Sequence, residues 1–233
     1  MNSIPTEDRI WNASLALFAR QGFAGTTTRD IADASGLTVG SLYHYMGSKD
    51  DLLENMMLGG MTGLLEAATA VVVATKDSPE RLGSLVHLHV AVHAHHRLEA
   101  KVVDREIEQL SAATLLRVST MRDEYEKIWR DTLITGNTRA CFTVSDANLV
   151  TLALLGMCTA VATWFRPDGR LTPEALGMEF VPMALSMVRA TQDGVPLVGT
   201  DIALPDITPF ITIYEKRGGY GSAGARAMSR RGA

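Results

Sequence analysis

No stretch of this 233-residue chain alternates apolar and polar residues for long enough to build a half-buried strand. Apolar residues instead recur three and four apart almost throughout, the spacing that gathers them on one face of a helix. The chain is therefore expected to be all-α, and capping residues mark where one helix stops and the next begins. Ile10, Ala13, Leu17 and Phe18 share a face between Pro5 and Gln21, and Gly22 supplies the left-handed residue that ends such a helix. Thr27, with Asp30 three residues on, forms a capping box for a second helix that stops at Ser35, before Gly36. Thr38 caps a third helix reaching Met46, and Ser48, followed by Asp51, caps a fourth reaching Lys76.

Farther on, Ser78-Pro79-Glu80 and Thr172-Pro173-Glu174 repeat one arrangement. A hydroxyl caps, a proline takes the first helical position where its missing N–H costs nothing, and an acid lies near the positive helix end. Ser145-Asp146 is a looser version. These starts predict helices near 79–97, 99–110, 113–135, 146–165 and 173–191, about nine in all, with no internal repeat. Three segments follow: a helix-turn-helix head over residues 1–50, a larger helical domain over 51–193, and a Gly/Pro/Arg-rich extension over 194–233. Within the extension, "ITPFITIY" reads as an extended piece docked on the body. Glu215 to Ala233 carries a net +4, either a solvated tail or an arm that binds DNA or a partner.

Composition sets limits on function. A hydrophobic fraction of 46% and a charged fraction of 21% fit a soluble globular protein, not a disordered one. The net charge of -4 excludes a surface coated with positive charge, so contact with nucleic acid has to use a local patch. Cys141 and Cys158 have neither CxxC nor metal-type spacing, which points to a reducing compartment. The N-terminus has no cationic region followed by an apolar run, so a cytoplasmic location is expected. Ala147 to Phe165 carries no charge over nineteen residues, but Asn148 and its threonines favour a core or interface helix over a membrane span.

The pair of short helices around Gly36-Leu37-Thr38 is the arrangement that sets a second helix into a major groove. Ala32 lets the two approach closely, and Ile31, Leu42 and Tyr45 or Met46 supply a core. Gly40, near the start of the third helix, costs about 1 kcal/mol relative to alanine in a helix, so close approach to another surface is its expected reason. Charge is the difficulty. Over residues 1–50, Arg9, Arg20, Arg29 and Lys49 stand against Glu7, Asp8, Asp30, Asp33 and Asp50, a net -1.

The stretch "TTTRDIADASGLTVGSLYHYMGSKDDLL", with "LFARQGFAGTT" before it, resembles the N-terminal domain of TetR-type transcriptional regulators. The resemblance runs from about Arg9 to Leu53 and departs from the usual pattern at Met46, where the family has Phe. It implies a homodimer, with two third helices in successive major grooves of double-stranded operator DNA, and a repressor as the leading function. Thr27, Thr28 and Arg29 are then expected to face one strand, and Thr38, Val39, Gly40, Ser41, Tyr43 and His44 the groove and its walls, with Lys49 as a cation at the start of helix four. Helix-start amides and hydroxyls hold phosphates as cations do, which answers the missing charge.

The larger domain would hold a small-molecule effector. Met57, Met61 and Leu65 offer a soft apolar lining, and Trp129 and Trp164 walls to a cavity. "ATWFRPDGRLTPEALG" resembles the end of the ligand domain in TetR-type repressors of fatty-acid and sterol catabolism, which implies an acyl-CoA or similar amphipathic effector near Trp164 and Arg166. His89, His93 and His96 share a helix face, which suggests either histidines hydrogen-bonded in a polar cavity or a metal-responsive repressor, with Asp104 a conceivable further ligand. An efflux-type repressor sensing a xenobiotic is the other alternative. No resident cofactor or structural metal is expected. The sequence has no Gly-rich phosphate loop, nucleophile elbow or paired catalytic carboxylates, so no enzyme is expected.

Overall fold

The computed structural model describes residues 4–198 and 201–217. All nine expected helices are present: α1 (Thr6–Gln21), α2 (Thr28–Ser35), α3 (Val39–Tyr45), α4 (Lys49–Ala74), α5 (Ser78–His95), α6 (Arg97–Arg105), α7 (Ala112–Thr138), α8 (Ala147–Thr159) and α10 (Pro173–Met187). Three features differ from expectation. The eighth helix breaks at Ala160 and resumes as α9 (Val161–Trp164), and the end of the sixth becomes a 3-10 turn over Ile107–Gln109. The segment expected to be extended is instead helical, α11 (Thr208–Arg217). A hairpin of two-residue strands, β1 (Thr191–Gln192) and β2 (Val195–Pro196), precedes it, with Asp193 and Gly194 at positive φ in its turn. Most of the basic run, beyond Arg217, lies outside the described residues.

The caps follow the expected chemistry with one shift of register. Thr27 Oγ1 accepts from Asp30 N at 3.1 Å while Thr27 N donates to Asp30 Oδ2 at 2.8 Å. Thr38, Ser48, Asp146 and Thr172 each accept an amide hydrogen from the first turn that follows. At α5, however, Asp77 is the capping residue, accepting from Glu80 N at 2.9 Å, and Ser78 is already helical. A carboxylate beside a positive helix end displaces the hydroxyl from that role. Gly22 at φ 82 and Gly36 at φ 67 both take the backbone region that other residues resist.

Residues fall into two compact units. Of the described residues the first comprises residues 4–63, Leu98–Met121 and residues 214–217, so it contains the whole of α1–α3, the first half of α4, and α6 from Leu98 onward. Its core is built from Ile10, Phe18, Ile31, Leu42, Met46 and Leu52, all buried. Met46 fills the place expected of an aromatic residue, whereas Tyr45 is exposed. Gly63 is required by packing: a Cβ there would lie 2.7 Å from the Tyr214 carbonyl oxygen and 2.9 Å from its ring.

The second unit, Leu64–Arg97 with Arg122–Ile213, is built on α5 and α10. Gly177 lets them meet, since a Cβ would come within 2.5 Å of the His87 ring and 2.8 Å of its carbonyl oxygen. Leu204 and Val181 pack on Gly83 in the same unit. Apolar residues also remain uncovered here. Leu149, Leu152 and Trp164 on α8–α9, and Met178, Met183 and Met187 on α10, are exposed. Ala147–Trp164 is long and apolar enough to cross a membrane by length and composition, as is the stretch ending at Ala74.

Candidate nucleic-acid interface and buried polar cluster

The geometry of the head shows where its cations are placed. Arg9, on α1, donates from Nε and Nη2 to the carbonyl oxygen of Ser35, so its guanidinium clamps the turn between α2 and α3. Lys49, expected as a phosphate cation, donates to the carbonyl oxygens of Phe23 and Thr26, both at 2.8 Å, and lies over the Phe23 ring. Two of its three N–H groups therefore fix the loop that delivers Thr27 to the start of α2. Its expected place as a cation at the start of helix four is thus combined with an internal one. Arg29 stays exposed, beside exposed Thr27 and half-buried Thr28.

On α3 the outward face carries Thr38, Val39, Gly40, Tyr43 and His44, all exposed, and half-buried Ser41. Leu42 and Met46 point inward and anchor the helix, so the polar face is set by the core beneath it. Thr38 Oγ1 and Ser41 Oγ lie 2.9 Å apart, and the Thr38 oxygen also caps the helix. Gly40 has no internal reason to lack a side chain: the nearest atom to a Cβ built there is Thr38 Oγ1, at 4.0 Å. Of Tyr45 and Met46, the two alternatives for the core, Met46 is buried and Tyr45 adds an exposed ring one turn beyond Ser41. Burial of Met46 is the signal that separates the two.

Of the expected effector residues, three come together in the second unit. His89 and His93 stack at 3.9 Å between ring centroids, and Trp129 meets His89 edge-on at 5.7 Å. His89 Nδ1 is 2.8 Å from the Tyr125 hydroxyl and Nε2 is 2.9 Å from Thr159 Oγ1, so one imidazole joins α5, α7 and α8. His93 Nδ1 lies 2.8 Å from the His89 carbonyl oxygen. A carbonyl only accepts, so His93 Nδ1 carries the proton and Nε2 the lone pair. Burial holds the pKa of His89 well below the usual histidine range and that of His93 down to about 4, so both are neutral. Burial also pushes the Tyr125 hydroxyl up and the Cys158 thiol up to about 12. Tyr125 and Thr159 were missed from sequence because α7 and α8 meet α5 far along the chain.

The other expected effector residues lie apart from this cluster. Leu65 is half-buried in the second unit, and Met57 and Met61 are buried in the first. Trp164, expected as a cavity wall, is 51% exposed and stacks on Phe180, and Arg166 is exposed in the loop after α9. A cleft of about 500 Å³ in the second unit, bordered by Lys76, Glu80, Arg139 and Cys141, includes none of the expected residues. The metal alternative also lacks its geometry. Both His89 nitrogens and one of His93 already have partners, and no group of three His, Cys, Asp or Glu side chains gathers as a metal site among the described residues.

Comparison with known proteins agrees with this layout. Residues 10–56, the head and the start of α4, match the family described as bacterial regulatory proteins of the tetR family. Residues 75–188 match the tetracyclin repressor-like C-terminal domain. The HTH-type transcriptional repressor KstR2 of Mycobacterium tuberculosis is 29% identical over 184 residues, covering 77% of this chain and 90% of the relative. The solved structure of the ketosteroid transcriptional regulator KstR2 from that organism superposes with a TM-score of 0.76 at 25% identity, over 82% of this chain and 98% of the other. AibR, solved with isovaleryl coenzyme A and operator DNA, shares the fold, with a TM-score of 0.67 at 24% identity over 77% of this chain and 97% of the other. With one match on the helix-turn-helix and the other spanning α5–α10, the chain belongs to the TetR family of transcriptional regulators.

Proposed function

We propose that this regulator is a homodimeric repressor that grips operator DNA chiefly through hydroxyls and helix-start amides, and releases it when an acyl-CoA or similar amphipathic effector binds. The α3 face carries the DNA part of this reading. Thr38, Ser41, Tyr43 and His44 project from a helix anchored by Leu42 and Met46, and Gly40 leaves room that the fold itself does not use. Hydroxyls read base edges and hold phosphates, and Val39 can pack on thymine methyls. Arg29 adds an exposed cation beside the α2 start.

A second copy of the chain is the natural cover for the apolar rows of α8 and α10. Leu149, Leu152, Ala153, Gly156 and Ala160 form an exposed stripe with small residues at its centre, and a Cβ at Gly156 would meet no atom within 4 Å. Such a surface suits close helix packing between copies and buries the apolar area a lasting dimer needs. Doubling the head then doubles every contact to DNA.

The acyl-CoA reading rests on the sequence around Trp164 and Arg166, and is supported by the ability of this fold to accommodate isovaleryl coenzyme A in AibR. Effector binding in the second unit would act through α4, which runs from Lys49 to Ala74 and takes part in both units. The effector must favour the DNA-incompetent arrangement; about 1.4 kcal/mol of coupling gives tenfold release. The protein would then work in the cytoplasm, where both DNA and acyl-CoA are present. Fluorescence anisotropy with duplexes flanking its own gene tests the reading: binding at modest salt, reversed by a medium-chain acyl-CoA and not by free coenzyme A, is expected. Failure to bind any such duplex would refute the DNA reading, and binding that no acyl-CoA reverses would refute the effector.

A further inference from the structure

We infer that the last turn of α11 anchors the C-terminal basic run to the DNA-binding unit, and that this run grips the phosphates of the duplex for a head that is short of cations. The inference rests on the DNA reading of the head and deepens it by naming where the missing positive charge comes from.

The shortage is larger than the net charge of -1 over residues 1–50 suggests. Of the four cations there, Arg9 is engaged by the Ser35 carbonyl oxygen and Lys49 by those of Phe23 and Thr26. A duplex carries one charge per about 1.7 Å of its axis, and each cation that meets a phosphate releases a counterion, which is the main sequence-independent source of affinity. The sequence supplies such cations beyond α11. Residues 218–233, which lie outside the described residues, hold Arg226, Arg230 and Arg231 and no Asp or Glu. Counted with the head, they turn a net -1 into a net +2. All three are arginines, whose planar guanidinium meets a phosphate with two parallel N–H groups.

The root of this run is seated on α4. Tyr214, in the last turn of α11, is 4% exposed, and two glycines one turn apart on α4 shape its seat. A Cβ at Gly63 would lie 2.7 Å from the Tyr214 carbonyl oxygen and 2.9 Å from its ring, and one at Gly60 would lie 3.9 Å from its hydroxyl oxygen. Gly63 thus admits both the backbone and the ring, while Lys216 just beyond is exposed. Gly63, Tyr214 and the head belong to the same unit. From Gly63 to Lys49, where the Phe23–Thr26 loop is held beside α2, is about 21 Å along α4 at about 1.5 Å per residue. Residues 218–233 measure about 24 Å at the rise of a helix and about 50 Å when extended, so the run is long enough to cover that distance. Phosphate contacts carry no sequence information, so the run raises affinity for every duplex and leaves base preference to α3.

Fluorescence anisotropy of the full chain on a duplex flanking its gene and on a random-sequence duplex, each between about 50 and 200 mM salt, tests the inference. Arg226→Gln, Arg230→Gln and Arg231→Gln together alter no described residue. They should weaken both duplexes equally, about tenfold at about 100 mM salt, and make the dependence of log affinity on log salt shallower by about 2–3 for each chain bound. A chain ending at Arg217 should behave in the same way. Gly63→Ala keeps every charge but displaces Tyr214, so it should weaken both duplexes several-fold and add nothing in the triple-Gln protein; if it does not fold, the arginine variants decide. Unchanged salt dependence in the triple-Gln protein would overturn the inference and leave the run to an acidic protein partner. Tighter binding without the arginines would also overturn it, by placing the run against the protein's own acidic surface. If the unmodified chain binds no duplex, the DNA reading falls together with this inference, whereas binding with unchanged salt dependence removes this inference alone.

Discussion

The ammonium of Lys49 sits 2.8 Å from the carbonyl oxygen of Phe23 and 4.0 Å from the centroid of the same residue's ring. A cation expected at the start of helix four is built into the loop before α2, where it also holds the Thr26 carbonyl. Lys49→Ala should therefore lower thermal stability by about 1–2 kcal/mol and weaken binding to specific and random DNA alike. Calorimetric melting beside anisotropy checks both. Lost affinity with unchanged melting would return Lys49 to the role of a simple phosphate contact.

Gly40 separates folding from function. Alanine fits the free protein there and should stabilise α3 by about 0.5–1 kcal/mol, yet its methyl would occupy the space through which the helix approaches DNA. Gly40→Ala should melt higher and bind the operator at least several-fold more weakly. Unchanged operator affinity would remove Gly40 from the interface.

Base preference is expected to lie with Ser41 more than with Tyr43. Ser41→Ala should shift preference at particular base pairs in a randomised-duplex selection, costing about 1 kcal/mol at those positions, whereas Tyr43→Phe should weaken all duplexes similarly. Identical profiles for both variants would contradict the division.

Glu99 makes stability depend on pH. It is 8% exposed, its Oε1 has no hydrogen-bond partner among the described residues, and burial pushes its carboxyl up to about 8. The folded state thus holds a proton that the unfolded chain releases above the usual carboxyl range, so this contribution to stability falls as pH rises from about 5 toward 8. His93 and His96, both pushed down to about 4 by burial, act in the opposite sense: the unfolded chain takes up their protons first as pH falls below about 6.5. Glu99→Gln should gain about 2 kcal/mol over the unmodified chain on going from pH 5 to pH 8, read by urea denaturation. A constant difference across that range would mean that Glu99 is charged when folded.

Local chemistry was legible in the sequence where it acts over a few residues. Gly22 and Gly36, the Thr27–Asp30 box and the Thr38 and Thr172 caps all act within one turn and stand where expected. The α11 segment misled because Ile211, Thr212 and Ile213 favour strands, yet Phe210, Ile211 and Tyr214 bury one helical face, and burial overrides propensity. A signal was present in Asp206, which accepts from Thr208 N at 3.0 Å just before Pro209. Residue types were enough to nominate His89 and His93, but the Tyr125 and Thr159 bonds that fix their roles arise from packing between distant segments. Arg9 and Lys49 show the same limit: sequence counts charges, whereas only the fold tells which of them face outward.

Native mass spectrometry of the full-length chain, mixed at modest ionic strength with duplexes from the region flanking its gene, tests the central claim most directly. The account predicts that two chains ride together on one specific duplex, and that Leu152→Arg, on the exposed α8 stripe, reduces the species to single chains without DNA. Single unmodified chains on the duplex, or no complex with any flanking fragment, would contradict it.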